Sequence, residues 1–176
     1  MNSQTIKTGL LLTLCGTITA FAVELPINGK FAKDDKGQLF YWRPEIPRKT
    51  VSIEVIPASD KKNNAILIEN DNKSYGISNS MIKITAYKTL HFSIHVRGNG
   101  GFAVQLNYYT EKGKYISTKV FFEGRASKDA FQKFKGSLDI PETLNDKKVA
   151  FAAIKLLTFK NTQLIFENAV LSADER

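Results

Sequence analysis

The sequence predicts an all-β fold, a β-sandwich or jelly roll of two antiparallel sheets. From Leu39 onward, short apolar runs rich in Val, Ile, Phe, Tyr and Thr alternate with period two. Clusters of Gly, Asn, Asp and Lys punctuate them, and no stretch carries a convincing amphipathic helical period. Many short strands, frequent turn signals and no long helix lead to two packed sheets rather than to a mixed fold.

The first 22 residues stand apart. Lys7 is followed by an uncharged apolar run as far as Ala22, the layout of a secretory signal peptide, and Ala20-Phe21-Ala22 puts small residues where the peptidase reads. Cleavage is expected after Ala22, which makes the protein secreted or periplasmic, an envelope protein if its source is bacterial. Thr13, Gly16, Thr17 and Thr19 break the run, which barely reaches the ~20 residues of a membrane span, so no integral membrane domain is expected. The single cysteine, Cys15, lies in this segment. Lipoprotein attachment there is the alternative, although Leu14 occupies a position where such a site takes a small residue. Residues 23–176, about 154 in number, make one domain by size. That domain has no cysteine, hence no disulfide, thiol nucleophile or Cys-ligated zinc.

The elements follow in order. The turn Asp35-Lys36-Gly37 precedes a strand at Leu39–Arg43, and Val51–Ile56 and Ala65–Glu69 flank a polar turn from Asp60 to Asn64. Met81–Thr85 and Leu90–Arg97 come next. The glycine-rich Gly98 to Gly101 reads as a turn before Ala103–Thr110, and Glu111-Lys112-Gly113 as a turn before Tyr115–Glu123. Phe131–Ile140 precedes the turn Asn145-Asp146-Lys147. The alanines and leucines of Lys148–Phe159 would also suit a buried helix, but its flanks are all strand, so a strand is expected there. Gln163–Leu171 closes the chain. No repeat or Pro/Ser-rich linker suggests a second domain.

The net charge of +8 favours an acidic partner such as an anionic glycan, a membrane surface or nucleic acid. The lysines are scattered, however, at Lys61-Lys62, Lys112, Lys114, Lys133, Lys135 and Lys147-Lys148, with acids between them. Without an arginine-rich tract or a basic helical face, and on an exported chain, nucleic acid is not expected as the partner. A solvated, soluble surface accounts for the pattern.

A set of short motifs then falls in a recognisable order. Ile27-Asn28-Gly29-Lys30-Phe31 opens the domain, Gly37 precedes Tyr41-Trp42, and Ala65-Ile66-Leu67-Ile68 follows. Thr89 to Ile94, Val104 to Tyr109 and Glu111 to Ile116 come next, and Pro141 and Leu164 to Leu171 end the series. The pattern resembles the carbohydrate-binding-module type of jelly roll, the galactose-binding-like β-sandwich that accompanies secreted glycoside hydrolases. The resemblance implies a structural calcium ion, held partly by an acid after the Asn-Gly-x-Phe motif and by the aspartate of a closing Phe-Asp-Asn-Val. Here those positions are Ala32 and Glu167. A hard cation needs several oxygen ligands, so Glu167 reads as an ordinary strand-end residue and no cofactor is expected.

Residues able to carry chemistry are few. His91, Ser93, His95 and Arg97 share one face of a strand and Leu90, Phe92, Ile94 and Val96 the other. Four residues of strand separate the histidines by about 13 Å, too far to chelate one metal. Ser93 has no nucleophile-elbow sequence, and Gly-x-Ser-x-Gly, His-Glu-x-x-His and Walker-type loops are absent from the sequence. The acids cluster in turns, at Asp34-Asp35, Asp60, Asp71 and Asp146, and Glu69, Glu123 and Glu167 end strands.

Binding a sugar takes other parts: an aromatic plane for the apolar faces of the rings, and amides for the hydroxyls. Gln105, Asn107 and Tyr109 supply these on one strand face, opposite Val104, Leu106 and Tyr108. The resemblance, which puts ligand across the concave sheet or at the loop end, implicates the same three residues. Trp42 and Tyr75 are further candidates from neighbouring strands or loops, although a lone tryptophan near a sandwich edge is more often core. If Gly98 to Gly101 makes a hairpin, the histidines share the face of Gln105; if successive strands enter opposite sheets, the two sets part. The expected role is a secreted, non-catalytic carbohydrate-binding domain, its partner a carbohydrate, including an anionic one. The alternatives are a structural or adhesion domain of the envelope, working through an exposed strand edge, and a small glycoside-active enzyme with an acidic pair.

Overall fold

The computed structural model describes residues 22–45, 50–71 and 73–176. Cys15 and the rest of the expected leader, up to residue 21, lie outside them. Among the described residues thirteen strands follow in chain order: β1 Val23–Leu25, β2 Trp42–Pro44, β3 Val51–Pro57, β4 Asn64–Asn70, β5 Tyr75–Asn79, β6 Ile82–Lys83, β7 Tyr87–Tyr109, β8 Tyr115–Ala126, β9 Gln132–Asp139, β10 Thr143–Leu144, β11 Lys147–Lys148, β12 Phe151–Thr158 and β13 Thr162–Glu175. The ambiguous alanine-leucine segment is a strand, β12, because alternate positions Ala152, Ile154 and Leu156 face the core. Tyr75–Asn79, β5, is a strand that the sequence pattern did not announce.

Hydrogen-bonded pairing runs β2-β5-β12-β7-β13-β4-β3, all antiparallel, and β7 is the hinge of the whole. Its first part, to Asn99, pairs with β13 and β9, whereas its second, from Gly100, pairs with β12 and β8. Two sheets result. The first is β3-β4-β13-β7-β9 with β1 beside β13, and the second is β2-β5-β12-β7-β8 with β6 beside β12. They pack face to face, as the rings show. Phe102 of the second sheet meets Phe134 and Phe166 of the first edge-on at 4.9 and 5.7 Å, and Phe92 of the first lies 5.8 Å from Phe121 of the second. Even-numbered residues of β7, from Leu90 to Val96 and from Phe102 to Tyr108, point into this core along its whole length.

The expected turn at Gly98 to Gly101 is therefore corrected: it is continuous strand, coiled as it passes from one sheet to the other. Gly98 and Gly100 adopt φ of 135° and 123°, where side-chain-bearing residues are strained. A Cβ on Gly98 would also stand 2.1 Å from the Gln163 carbonyl oxygen, and one on Gly100 2.4 Å from Thr162 Cγ2. The glycines let β7 bend hard against the start of β13, which is why a turn composition here makes no turn.

The opening and closing motifs meet. The Ala169 N–H donates to the Gly29 carbonyl at 3.0 Å, beside a bulge of β13 between Glu167 and Val170. Glu167 is buried, at 2% exposure, and both its oxygens are used: Oε2 accepts the Ser59 N–H at 2.9 Å and Oε1 the Ser59 hydroxyl at 2.6 Å. The Asn28 side-chain oxygen is taken by the Ala32 N–H at 3.0 Å. Among the described residues no group of three or more His, Cys, Asp or Glu could hold a metal. These residues do not fit a calcium ion, which takes six to eight oxygens; the Ser59 clip stands where the resemblance implied one.

Three outcomes are expected in urea denaturation. Gly98→Ala should lose more than about 3 kcal/mol, or fail to fold, since backbone conformation and overlap act together. Gly37→Ala, also at positive φ but with nothing within 4 Å of the new Cβ, should lose only about 1–2 kcal/mol. For the clip, Ser59→Ala removes a hydrogen bond to a buried carboxylate and should lose roughly 2–3 kcal/mol. Saturating chelator should leave the melting temperature of the parent protein unchanged; a fall would mean that a metal is bound.

Candidate functional site

Where even residues of β7 fill the core, odd ones face out, and the second sheet carries the chemistry. Its register sets the expected residues in rows across three strands. Gln105 pairs with Lys155 of β12 and Val120 of β8, Asn107 with Ala153 and Thr118, and Tyr109 with Phe151 and Tyr115. The last row is aromatic throughout. Gln105, Asn107 and Tyr109 are thus brought together on one partly exposed face.

Asn107, Thr118 and Tyr115 of this face are locked to one another. The Thr118 hydroxyl donates to Asn107 Oδ1 at 2.6 Å, so its single proton is used, and the Tyr115 hydroxyl must donate to Thr118 at 2.8 Å. Tyr109 and Tyr115 meet edge to face, with ring centroids 6.0 Å apart, a geometry that suits the ring quadrupoles. Partial burial pushes the Tyr109 hydroxyl above its usual pKa; the Asn107 side chain bonded to it pulls the other way. Tyr115 keeps 55% of its surface exposed. Fixed rings beside fixed amides and hydroxyls form a surface that need not reorganise to meet a flat polyhydroxylated ligand. At the far side, Lys155 crosses over Gly76, where a Cβ would come within 2.6 Å of Lys155 Cε, and forms an ion pair with Glu45.

Two expected site residues are not there. Trp42 is 1% exposed, packs on Phe31 at 5.6 Å and donates its indole N–H to the Asn28 carbonyl at 3.2 Å. Tyr75 is 2% exposed, and its hydroxyl donates to the Glu45 carbonyl at 2.9 Å. Both occupy core-facing positions of β2 and β5, so neither offers a ring face to a ligand. The aromatic residues that do flank Tyr109 on the outer face are Tyr115 and Phe151. Strand alternation alone would set Tyr115 and Thr118 on opposite sides of β8; register shifts between β7 and β8 bring both outward, and sequence does not show those.

The histidines belong to the other sheet. His91, Ser93 and His95 lie on the outer face of the first sheet, paired with Ser137, Lys135 and Lys133 of β9. His91 Nε2 is 3.0 Å from an Asp174 oxygen and Nδ1 2.7 Å from Ser137 Oγ. A carboxylate only accepts, so in the neutral ring Nε2 bears the proton and Nδ1 takes that of Ser137. These are the residue types of a hydrolase triad, and their meeting was not legible from sequence. Ser137 sits in mid-strand, however, where backbone N–H groups lie in the plane of the sheet and not along its side chain, so they build no oxyanion hole. The trio reads as a cross-strand polar ladder.

A cleft of about 1080 Å³ opens elsewhere, between the edge strands β2 and β3. Phe40 and Tyr41 line it and contact each other at 4.2 Å, and its polar groups are mostly charged, from Lys33, Asp34, Arg43 and Glu54, with Gln38 as its single amide.

No protein-family model and no curated protein matches the sequence. Solved structures do match the fold. One is a xylanase chain of Clostridium thermocellum, comprising CBM22-1 and GH10 modules in complex with xylohexaose, at TM-score 0.63 and 11% identity over 86% of this chain. The present chain spans only 28% of that one. The CBM22-1 xylan-binding domain of a Paenibacillus barcinonensis protein matches at TM-score 0.57 and 9% identity, covering 88% of this chain and 97% of the module. A Stig cyclase from Fischerella, an enzyme, matches at TM-score 0.59 and 11% identity, covering 88% and 99%. Family 11 and family 16 carbohydrate-binding modules share the architecture over most of the chain. The fold of this chain is the β-sandwich of the carbohydrate-binding modules.

Proposed function

We propose that the protein is a non-catalytic carbohydrate-binding domain that takes a glycan across the outer face of its second sheet. The observation that carries this is the row Phe151, Tyr109 and Tyr115 set beside Asn107, Thr118 and Gln105. Aromatic planes stack on the apolar faces of sugar rings, and the amides and hydroxyls satisfy the ring hydroxyls, which would otherwise lose hydrogen bonds to water. The sandwich shared with a xylan-binding domain supports the same role. An exported location belongs to the proposal too, and rests on the leader read in residues 1–22.

On a glycan array the protein should retain at least one polysaccharide. In calorimetry with the best of these, Tyr109→Ala should weaken binding by about 1 kcal/mol or more, roughly fivefold, the scale of one aromatic contact. His91→Ala, on the first sheet, should leave affinity within error. The opposite ranking would move the site to the histidine face.

A further inference from the structure

Four of the lysines that look scattered in sequence come together in space. Thr110 to Lys114 forms a tight turn: the Gly113 N–H donates to the Thr110 carbonyl at 2.9 Å and the Lys114 N–H to Thr110 Oγ1 at 3.2 Å. A second tight hairpin joins β10 to β11 through Asn145 and Asp146, both at positive φ, and pairs Leu144 with Lys147 and Thr143 with Lys148. The two turns face each other across a depression of about 410 Å³ lined by Thr110, Glu111, Lys112, Lys114, Lys147 and Lys148. None of the four ammonium groups has an ion pair among the described residues. Of the nearby acids, Glu111 shares the lining, Asp146 sits in the hairpin turn, and Glu142 is held by Arg176 at 2.6 Å.

The depression continues the aromatic row. Thr110 follows Tyr109, Lys114 precedes Tyr115, and the Ala150 N–H next to Phe151 donates to the Tyr109 carbonyl at 3.0 Å. Strands that present the rings therefore end in turns that present the charges. Four ammonium groups against a single carboxylate in the lining, Glu111, leave an excess of positive charge that raises the local potential and draws an anion to the spot. Lysine, a point charge on a flexible stem, suits acidic groups spaced along a polymer better than a fixed bidentate contact would.

We infer that the glycan bound on this face is an acidic polysaccharide, its rings on Phe151, Tyr109 and Tyr115 and its anionic groups on Lys112, Lys114, Lys147 and Lys148. This rests on the binding function proposed above, and adds the class of ligand. The shared chemistry is a sugar ring bearing an anionic group, either the carboxylate of a uronic acid or a sulfate ester.

The test uses four probes in calorimetry at low and high salt: oligogalacturonate, its methyl ester, a heparin fragment and xylohexaose. The expected result is binding of oligogalacturonate or heparin at least tenfold tighter than that of the methyl ester and xylohexaose, weakening as sodium chloride rises from 50 to 500 mM, since screening shortens to a few ångström. Preference between the two acidic probes identifies carboxylate or sulfate as the group recognised. Changing all four lysines to glutamine should bring the preferred acidic probe within about threefold of the neutral ones and flatten the salt dependence, with the melting temperature checked for intact folding. The pair Lys147→Gln and Lys148→Gln, made alone, should give an intermediate loss. Equal or tighter binding of the neutral probes, still sensitive to Tyr109→Ala, would overturn the acidic ligand and keep the glycan-binding function. Acidic binding that is insensitive to Tyr109→Ala but lost with the lysines would overturn the assignment to this face. Binding of none of the four would overturn the acidic ligand, and an empty glycan array would overturn the binding function with it.

Discussion

Everything in this fold depends on one strand belonging to two sheets. A straight strand of the length of β7 would run about 75 Å at ~3.3 Å per residue, whereas a domain of ~150 residues has a radius of gyration near 15 Å. The strand must therefore coil, and it does so at Gly98 and Gly100, against the start of β13. Because it never leaves the pairing ladder, its inside-outside alternation survives the bend. The core is built by one unbroken phase of even residues, and the two outer faces by one phase of odd residues. That single phase sends His91, Ser93 and His95 to one side of the molecule and Gln105, Asn107 and Tyr109 to the other.

Much of this was legible in the sequence, because period two survives wherever a strand has one buried face. The core residues of β7, the outward triplet of Gln105, Asn107 and Tyr109, and the strand nature of Phe151–Thr158 followed from alternation. What was not legible depends on long-range fit. Glycines mark turns and close approaches alike, and only the nearness of Thr162 and Gln163 shows that Gly98 to Gly101 is the latter. Trp42 and Tyr75 carry the chemistry of a binding platform but fall on the core phase, where Phe31 and the Glu45 carbonyl engage them. Tyr115 and the gathering of four lysines depend on bulges and on two turns meeting, neither of which leaves a local signal.

The Glu167 clip is the counterpart of this at the other end of the chain. A buried carboxylate needs compensation from a cation or from donors, and the two solutions differ in what they ask of the neighbourhood. With alanine at position 32 and a serine supplying both a backbone N–H and a hydroxyl, donors suffice. The bulge of β13 is held through the Ser59 clip, and the opening motif docks on it through the Gly29 carbonyl and the Ala169 N–H.

The outer face of the second sheet is the surface proposed to bind glycan. The most direct measurement is a titration of backbone amide chemical shifts with oligogalacturonate and, separately, with xylohexaose. Saturating shifts are expected at Gln105 to Tyr109, Tyr115 to Thr118 and Phe151 to Ala153. Shifts confined to His91 to His95 and Lys133 to Ser137, or to the cleft at Phe40 and Tyr41, would contradict that proposal, as would a spectrum that neither oligosaccharide changes.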